Sequence, residues 1–180
     1  MDVIRTVGHG TVESAAFCEL LRGAGIEAVV DVRRYPGSRH NPQFGREAMS
    51  AWLDAAGFAY EWVEDLGGRR HASPESPNTV LRNPQFRAYA DHMASREFAA
   101  GIGRLLETAR TAPVVVMCSE SVWWRCHRRL IADHLVLVEG RGVRHLFHDG
   151  RLTPHPPTKG ARSDGTHVVY DGIVPAPGGG

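Results

Sequence analysis

Two thiols, a carboxylate, an imidazole and a guanidinium fall within eleven positions of this sequence: Cys118, Glu120, Cys126, His127 and Arg128. An apolar run ends directly before Cys118, and helical spacing begins a few residues later. A thiol between a strand end and a helix start lies near backbone N–H groups and the positive end of a helix dipole, which favour a thiolate and bound anions. We therefore expect a nucleophilic Cys118 with a lowered pKa and Glu120 as acid or base. The alternative is a small buried apolar cysteine.

The spacing of apolar residues predicts a helix over Trp124 to Val138. On that helix His127 belongs to the apolar face, which suits a buried histidine better than a base, and Arg128 flanks the face as an anion ligand. Arg129 lies on the opposite side, four residues before Asp133, and this spacing predicts a surface ion pair. Ligand types for a metal are present, but their spacing matches no zinc motif, so we predict no metal site.

A second polar segment, "DVRRYPGSRHNPQF", follows an apolar run. Asp31 and Arg33 lie on one face of an extended strand, and Arg33 and Arg39 bracket a Pro-Gly turn that carries Ser38. The two arginines could grip phosphate or carboxylate bidentately. Equally, Asp31 could form an internal ion pair with either arginine that only holds the loop. Both interpretations stay open at this point.

The elements that must position these residues alternate between strands and helices. The predicted strands are Ile4 to Val7, Glu27 to Val32, Phe58 to Val63, Pro113 to Met117 and Val143 to Phe147. The predicted helices are Glu13 to Arg22, Glu47 to Ala56, two within Pro84 to Arg110 that break near Ser95 or Gly101, and Trp124 to Val138. This alternation predicts an α/β domain with a mainly parallel sheet of about five strands flanked by helices. Ligands bind at the carboxyl ends of such strands, where the sequence places Gly8, His9, Asp31, Arg33, Gly67, Gly68, Cys118 and Glu120.

Length and composition set further expectations. The 180 residues suggest one α/β domain over 1–153 and a Pro/Gly-rich tail over 154–180, in which "HVVYDG" could form one edge strand. A net charge of +1 with a single lysine disfavours a large phosphate footprint. Three cysteines are too few for a disulfide scaffold, and neither a signal peptide nor a long apolar run is present. We therefore expect a cytoplasmic protein with reduced thiols and no membrane partner.

Taken together, "TVGHG", "DVRRYPGSRHNPQF", "YEWVEDLGG", "FRAYADHM", "VVVMCSE" and "CHRRLIADHL" resemble the signatures of the domain of unknown function 488 family, over residues 4 to 148. The resemblance implies a single α/β domain whose signature residues gather at one pocket, and it brings no reaction with it. The chain departs from the pattern with "SVWW" between the two cysteine segments, where Trp123 and Trp124 could narrow the pocket or offer a stacking surface for a ring. The signature positions carried over are Gly8, His9, Asp31, Arg33, Pro36, Ser38, Arg39, Leu66, Gly67, Gly68, Cys118, Glu120, Cys126, His127 and Arg128.

Three functions follow from these residues. The first is an enzyme or ligand-binding domain for a small anionic or nucleotide-like ligand, with an Arg/Cys/Glu pocket in which Cys118, Glu120, Asp31 and His9 are the catalytic candidates. The second is a nucleic-acid-associated protein, because arginines and aromatic residues interleave, although the net charge disfavours it. The third is a thiol redox or metal-binding protein that uses Cys118 and Cys126. The sequence identifies no cofactor, substrate or oligomeric state.

Overall fold

A six-stranded sheet with the order β3-β2-β4-β1-β5-β6 forms the centre of the computed structural model, which describes residues 3–37 and 39–174. Strands β1 to β5 are parallel and β6 is antiparallel to β5. The strands are β1 Ile4–Gly8, β2 Ala28–Asp31, β3 Ala59–Trp62, β4 Val114–Cys118, β5 Val143–Leu146 and β6 Leu152–Pro154. The helices are α1 Ser14–Gly23, α2 Arg46–Ala55, α3 Pro84–His92, α4 Arg96–Thr111 and α5 Arg128–Leu137. The predicted α/β fold with a mainly parallel sheet is confirmed.

The central strands β2 and β4 are buried along their whole length, as their valine-rich sequences require. Because side chains alternate along a strand, Val29 and Val115 pack with α1 and α2, whereas Val30 and Val116 pack on the other face of the sheet with α4 and α5. Each face thus has its own apolar cluster. Every helix in the described part of the chain is too short or too polar to cross a membrane.

The strand register places the carboxyl ends of β1, β2 and β4 side by side at one edge of the sheet. Gly8 pairs with Cys118 across β1 and β4, and Asp31 pairs with Met117 across β2 and β4. The residues that follow, from His9, Val32 and Ser119 onward, therefore leave the sheet at the same edge. This edge is the carboxyl end at which parallel sheets bind their ligands.

Helix α5 begins later than its periodicity predicts. Trp123–Arg125 form a separate 3-10 turn, and Cys126 is extended, with φ −120° and ψ 151°. The ring of Trp123 stacks on His145, with 4.1 Å between centroids, and this tertiary contact outweighs local helix propensity. The predicted helix start at Trp124 is therefore wrong by four residues. By contrast, the break between α3 and α4 lies at Ser95, whose side chain accepts from the Phe98 N–H and caps α4.

The predicted surface ion pair between Arg129 and Asp133 is also wrong. Asp133 is fully buried, and its carboxylate accepts hydrogen bonds from His155 Nε2, the Thr158 backbone N–H and the Tyr170 hydroxyl, at 2.8, 2.8 and 2.9 Å. Arg129 instead donates to the Thr158 hydroxyl. Periodicity cannot find this site, because the partners of Asp133 lie more than twenty positions along the chain.

These hydrogen bonds hold the segment after β6 against α5. The described part of this segment, 154–174, contains a short antiparallel pair, β7 Arg162–Ser163 and β8 Val168–Val169. Val168 and Tyr170 are fully buried in the same apolar cluster as α5. The domain boundary at residue 153 stays a prediction, but residues 154–174 pack as part of the structure that carries the site.

Candidate functional site

A cleft of about 670 Å³ opens at the carboxyl edge of the sheet. The loops after β1 and β4 and the end of β4 contribute its thiols and imidazoles, the loops after β2, β3 and β4 contribute its guanidinium groups, and α3 adds Tyr89. The lining residues that could take part in chemistry or ligand binding are His9, Arg33, Arg34, Tyr35, Gly68, Arg69, Cys118, Glu120, Arg125, Cys126 and His127. A second depression of similar size lies between α2 and β3, but it is lined by neither thiol nor imidazole. The first cleft is therefore the candidate site.

Two thiols meet at the wall of the cleft. Cys118 ends β4 and Cys126 precedes α5, and their sulfur atoms lie within 4.8 Å of each other. Both residues are buried and neither forms a disulfide. The close approach depends on Gly8, because a Cβ there would lie 1.8 Å from the Glu120 carbonyl oxygen in the loop between the two cysteines. Glycine lets that loop lie directly on β1.

Arg128 supplies the positive charge at the thiols. The residue is 1% exposed, its guanidinium donates to the Glu120 carbonyl oxygen and lies close enough to both thiols to interact with them electrostatically, and its Nε makes no hydrogen bond within the described residues. Within residues 3–37 and 39–174, no carboxylate forms an ion pair with it. A buried guanidinium is very costly without a nearby negative charge. One of the two sulfur atoms is the counter-charge that the geometry offers.

His127 is oriented by the backbone of a neighbouring loop. Its Nε2 lies 2.9 Å from the Val32 carbonyl oxygen, so Nε2 carries a proton and donates. In the neutral ring Nδ1 then has a free lone pair, and Nδ1 lies 3.6 Å from Cys126 Sγ. The imidazole can therefore accept or return a proton at that sulfur. Gly68 makes room for it, since a Cβ there would lie 3.1 Å from Nδ1.

The surroundings act in opposite directions on the pKa values of the two thiols. Burial raises the pKa of Cys118 well above its usual range, and the neighbouring Cys126 raises it further. Burial also acts to raise the pKa of Cys126, but the proximity of Cys118, His127 and Arg128 outweighs it and holds this pKa well below its usual range. The geometry agrees, because His127 Nδ1 lies beside Cys126 Sγ. The surroundings therefore favour the thiolate at Cys126 rather than at Cys118, where the sequence placed it.

The same cluster could offer ligands to a soft metal ion. Cys118 Sγ, Cys126 Sγ and His127 Nδ1 all lie within 4.8 Å of one another. Two thiolates and one imidazole suit Zn²⁺ with a fourth position open. However, the guanidinium of Arg128 is already buried beside both sulfurs, so a dication would add to a positive charge that is itself buried. The charge balance favours a thiolate paired with Arg128 over a metal centre.

Asp31, Arg33 and His9 form one buried network beside the thiols. The Arg33 guanidinium contacts both carboxylate oxygens of Asp31, at 2.9 and 2.6 Å, and Tyr60 donates to the same carboxylate. Arg33 also donates to the Phe44 carbonyl oxygen and to His9 Nε2, at 2.7 and 3.3 Å. Of the two interpretations left open above, the internal ion pair is the one that the structure contains. Asp31 lies away from the cleft wall, fully buried.

His9 is held as a neutral, fixed ring. Its Nε2 accepts from Arg33, so Nδ1 carries the proton and donates to the Gly10 carbonyl oxygen at 2.8 Å. The ring stacks on Phe44, with 4.1 Å between centroids. Burial lowers the pKa of His9 to about 4, and the Arg33 charge adds to this effect. A ring with both nitrogens engaged in hydrogen bonds is a poor general base. The main role of His9 in the cleft is therefore structural.

The free positive charge of the cleft comes mainly from arginines that sequence reasoning did not select. Arg34, Arg69 and Arg125 line the cleft. Arg34 Nε is buried and makes no hydrogen bond within the described residues, and Arg69 has φ 57°, an uncommon backbone conformation for a residue with a side chain. Unsatisfied donors and unusual backbone both mark sites of ligand contact. The only sequence signal for these arginines is their position beside the quoted motifs.

The remaining predicted residues divide between the cleft and its surroundings. Glu120 lines the cleft and is exposed, with its carboxylate held by the Val122 N–H at 3.0 Å. Arg39 and Trp124 are exposed and do not line the cleft. Gly67 packs beneath Arg34, since a Cβ there would lie 2.7 Å from Arg34 Cα. Ser38 lies outside the described residues.

Comparison with known proteins adds a family and no reaction. A family model described as "Domain of unknown function DUF488" matches residues 13–135, a span that includes both cysteines, His127 and Arg128. No curated protein and no solved structure matches the chain.

Proposed function

Because this chain belongs to the DUF488 family, whose description specifies no reaction, we propose its function from the site itself: an enzyme that uses the thiolate of Cys126 as nucleophile on a small anionic substrate. The substrate lies in the cleft with its negative charge on the arginines of the wall. Cys118 and Arg128 hold the thiolate, and His127 moves a proton at its sulfur.

The observation that carries this proposal is the burial of Arg128. A guanidinium that is 1% exposed and without a carboxylate partner in the described chain requires another anion. The two sulfur atoms beside Arg128 supply one if a thiol is ionised. Among the two, Cys126 also faces the imidazole of His127, so it is the sulfur that gains most from ionisation. A thiolate at a cleft wall is the species that attacks electrophiles.

The charge of the cleft supports an anionic substrate. Its lining contains four arginines, Arg33, Arg34, Arg69 and Arg125, and the single carboxylate of Glu120. Arg33 is engaged by Asp31, so Arg34, Arg69 and Arg125 are the ones with capacity for a ligand. Arginine recognises phosphate and carboxylate groups bidentately. Tyr35 is 63% exposed beside Arg34 and offers a ring face to a nucleotide-like ligand.

The size of the cleft favours a small ligand over nucleic acid. A volume of about 670 Å³ falls within the range usual for small-molecule sites, about 300–1,000 Å³. A nucleic-acid groove would need a row of basic residues that continues along the surface, and the near-neutral net charge of +1 argues against it. Recognition of a nucleic-acid phosphate backbone would not require the thiols at the cleft wall.

Site-by-site alkylation tests the proposal. The full chain is treated with iodoacetamide from pH 5 to 9, and mass spectrometry follows each cysteine. Trypsin separates the three cysteines, because cleavage after Arg125 puts Cys118 in peptide 111–125 and Cys126 in peptide 126–128. We expect Cys126 to react well below pH 8, and Cys118 and Cys18 to react much more slowly. Inorganic phosphate should slow the reaction of Cys126 alone.

Two results would overturn the proposal. If Cys126 stays unreactive until the protein unfolds, it is a core residue and no nucleophile. If the purified protein holds one zinc ion per chain and releases it on alkylation, the cluster is a metal centre. Cys18 is the internal control, because it lies in the apolar cluster on the other face of the sheet and burial raises its pKa.

A further inference from the structure

We propose that Cys118 is a resolving thiol, so that the pair Cys118–Cys126 reduces hydroperoxides through an internal disulfide. This second activity rests on the Cys126 thiolate of the proposed function. This second activity gives Cys118 a chemical role, whereas nucleophilic catalysis by Cys126 alone would give it none.

The geometry of the pair supports this role. A nucleophile in a group-transfer enzyme needs no second thiol, but here the sulfur atom of Cys118 lies within 4.8 Å of the sulfur atom of Cys126. Both residues line the cleft, so a small oxidant that reaches one sulfur also reaches the other. Cys118 ends a strand, whereas Cys126 lies in extended backbone between a 3-10 turn and α5. An S–S bond requires the two sulfur atoms to move closer together. Because Cys126 lies in the less regular segment, that segment, which is outside the sheet, is the part of the chain that would move.

The chemistry is balanced with a hydroperoxide as the oxidant. The Cys126 thiolate attacks one oxygen of the peroxide, the O–O bond breaks, and the leaving oxygen takes a proton to form water or an alcohol. Cys126 is now a sulfenic acid. Cys118 loses its proton and attacks that sulfur, the S–O bond breaks, and hydroxide leaves with the proton as water. The peroxide has gained two electrons, and two thiols have become one disulfide. An external dithiol restores the pair by exchange.

The position of the third cysteine makes the inference specific. Cys18 lies on α1 in the cluster with Val29 and Phe17, whereas Cys118 and Cys126 belong to the cluster on the other face of the sheet. The sheet separates Cys18 from the pair. Oxidation by one equivalent of peroxide should therefore consume two of the three thiols and leave Cys18 reduced.

The test treats the full-length protein with one equivalent of hydrogen peroxide and blocks the remaining thiols with iodoacetamide. Because Arg125 lies between the two cysteines, trypsin without reductant yields peptides 111–125 and 126–128 joined only if the disulfide has formed. We expect the joined peptide to be the main product and Cys18 to be alkylated. The variant Cys118→Ser should stop at the sulfenic acid, which dimedone traps on peptide 126–128, and Cys18→Ser should behave as the wild type.

The outcomes separate the two proposals. If Cys126 is alkylated at low pH but peroxide gives sulfinic acid at Cys126 and no joined peptide, the resolving role of Cys118 is refuted and the nucleophile stands. If Cys126 is unreactive towards both reagents, both proposals fall. Should Cys118→Ser fold poorly, the joined peptide from the wild-type protein decides alone, because that measurement needs no variant.

Discussion

Replacement of Arg128 by methionine tests the central charge argument. Methionine keeps most of the length of the side chain and its apolar contacts, and it removes the guanidinium that lies beside both sulfurs and donates to the Glu120 carbonyl oxygen. The thiolate of Cys126 then loses its cation in a buried place. We expect the residue to become a neutral thiol at pH 7.

The size of the effect follows from the interaction that is lost. The interaction of a buried guanidinium with a thiolate is comparable to a hydrogen bond to a charged group, about 1.5–3 kcal/mol, and burial of Arg128 means that water does not screen it. The loss of an interaction of this size corresponds to about a 10- to 100-fold fall in the thiolate fraction at a fixed pH. Alkylation of Cys126 by iodoacetamide at pH 7 should slow by that factor.

The pH dependence of the free energy of unfolding is an independent measurement, and the direction of its change can be worked out. The pKa of Cys126 is lowered in the folded state, so its thiolate stabilises the fold above the unfolded pKa of about 8.5 in full. That contribution shrinks as the pH falls toward the folded pKa. Between pH 6 and 8, where Cys118 stays protonated in both states, the wild-type free energy of unfolding should therefore rise with pH through Cys126. In Arg128→Met this part of the slope should vanish.

The matched control is Arg34→Met, which removes a guanidinium from the cleft wall without touching the sulfurs. It should leave the alkylation rate of Cys126 within about twofold of the wild type, while phosphate protects Cys126 less well. If Arg128→Met alkylates as fast as the wild type, the guanidinium is not the counter-charge of the thiolate. The argument from burial would then fail, whatever the role of Cys126.

Three further predictions concern the surrounding structure. Asp133→Asn should lower the free energy of unfolding by about 2–4 kcal/mol, because a buried carboxylate that accepts three hydrogen bonds is lost. Urea unfolding measures this change, and an unchanged midpoint would show that the packing of residues 154–174 contributes little to stability. His9→Gln should remove a rise in stability of up to about 3 kcal/mol between pH 4 and 6.5. The sign is upward because the unfolded state binds the proton first, and an unchanged pH profile of unfolding would contradict the buried neutral ring. Gly8→Ala should prevent folding to the native state, since its Cβ would lie 1.8 Å from a backbone oxygen, and circular dichroism measures this. Gly68→Ala places its Cβ 3.1 Å from a side-chain atom, so this variant should fold and alter only the reactivity of Cys126, which alkylation measures.

Much of the fold could be predicted because it depends on local patterns. The valines of β2 and β4 form continuous apolar runs, and such runs are typical of strands buried on both faces of a parallel sheet. Once those strands are parallel, their carboxyl ends must meet, which brings His9, Arg33 and Cys118 to one edge. The start of α5 could not be predicted in this way. It depends on the stacking of Trp123 on His145, a contact between residues far apart in sequence.

The roles of the charged residues could not be read from the sequence, because each depends on what the side chain faces. Spacing proposed Arg128 as a ligand for an external anion and left Arg33 open between that role and an ion pair with Asp31. Both arginines are buried: Arg33 pairs with Asp31, and Arg128 lies beside the two sulfurs. In the proposed function, the external role passes to arginines such as Arg34, which spacing did not distinguish. We propose that the site uses positive charge in two ways. Arg128 stabilises the thiolate of the nucleophile, and arginines of the cleft wall bind the substrate. A single arginine shared by thiolate and substrate would lose the thiolate's counter-charge each time the anion bound. With Arg128 enclosed, an anion bound at the cleft wall would leave the thiolate paired and ready to react.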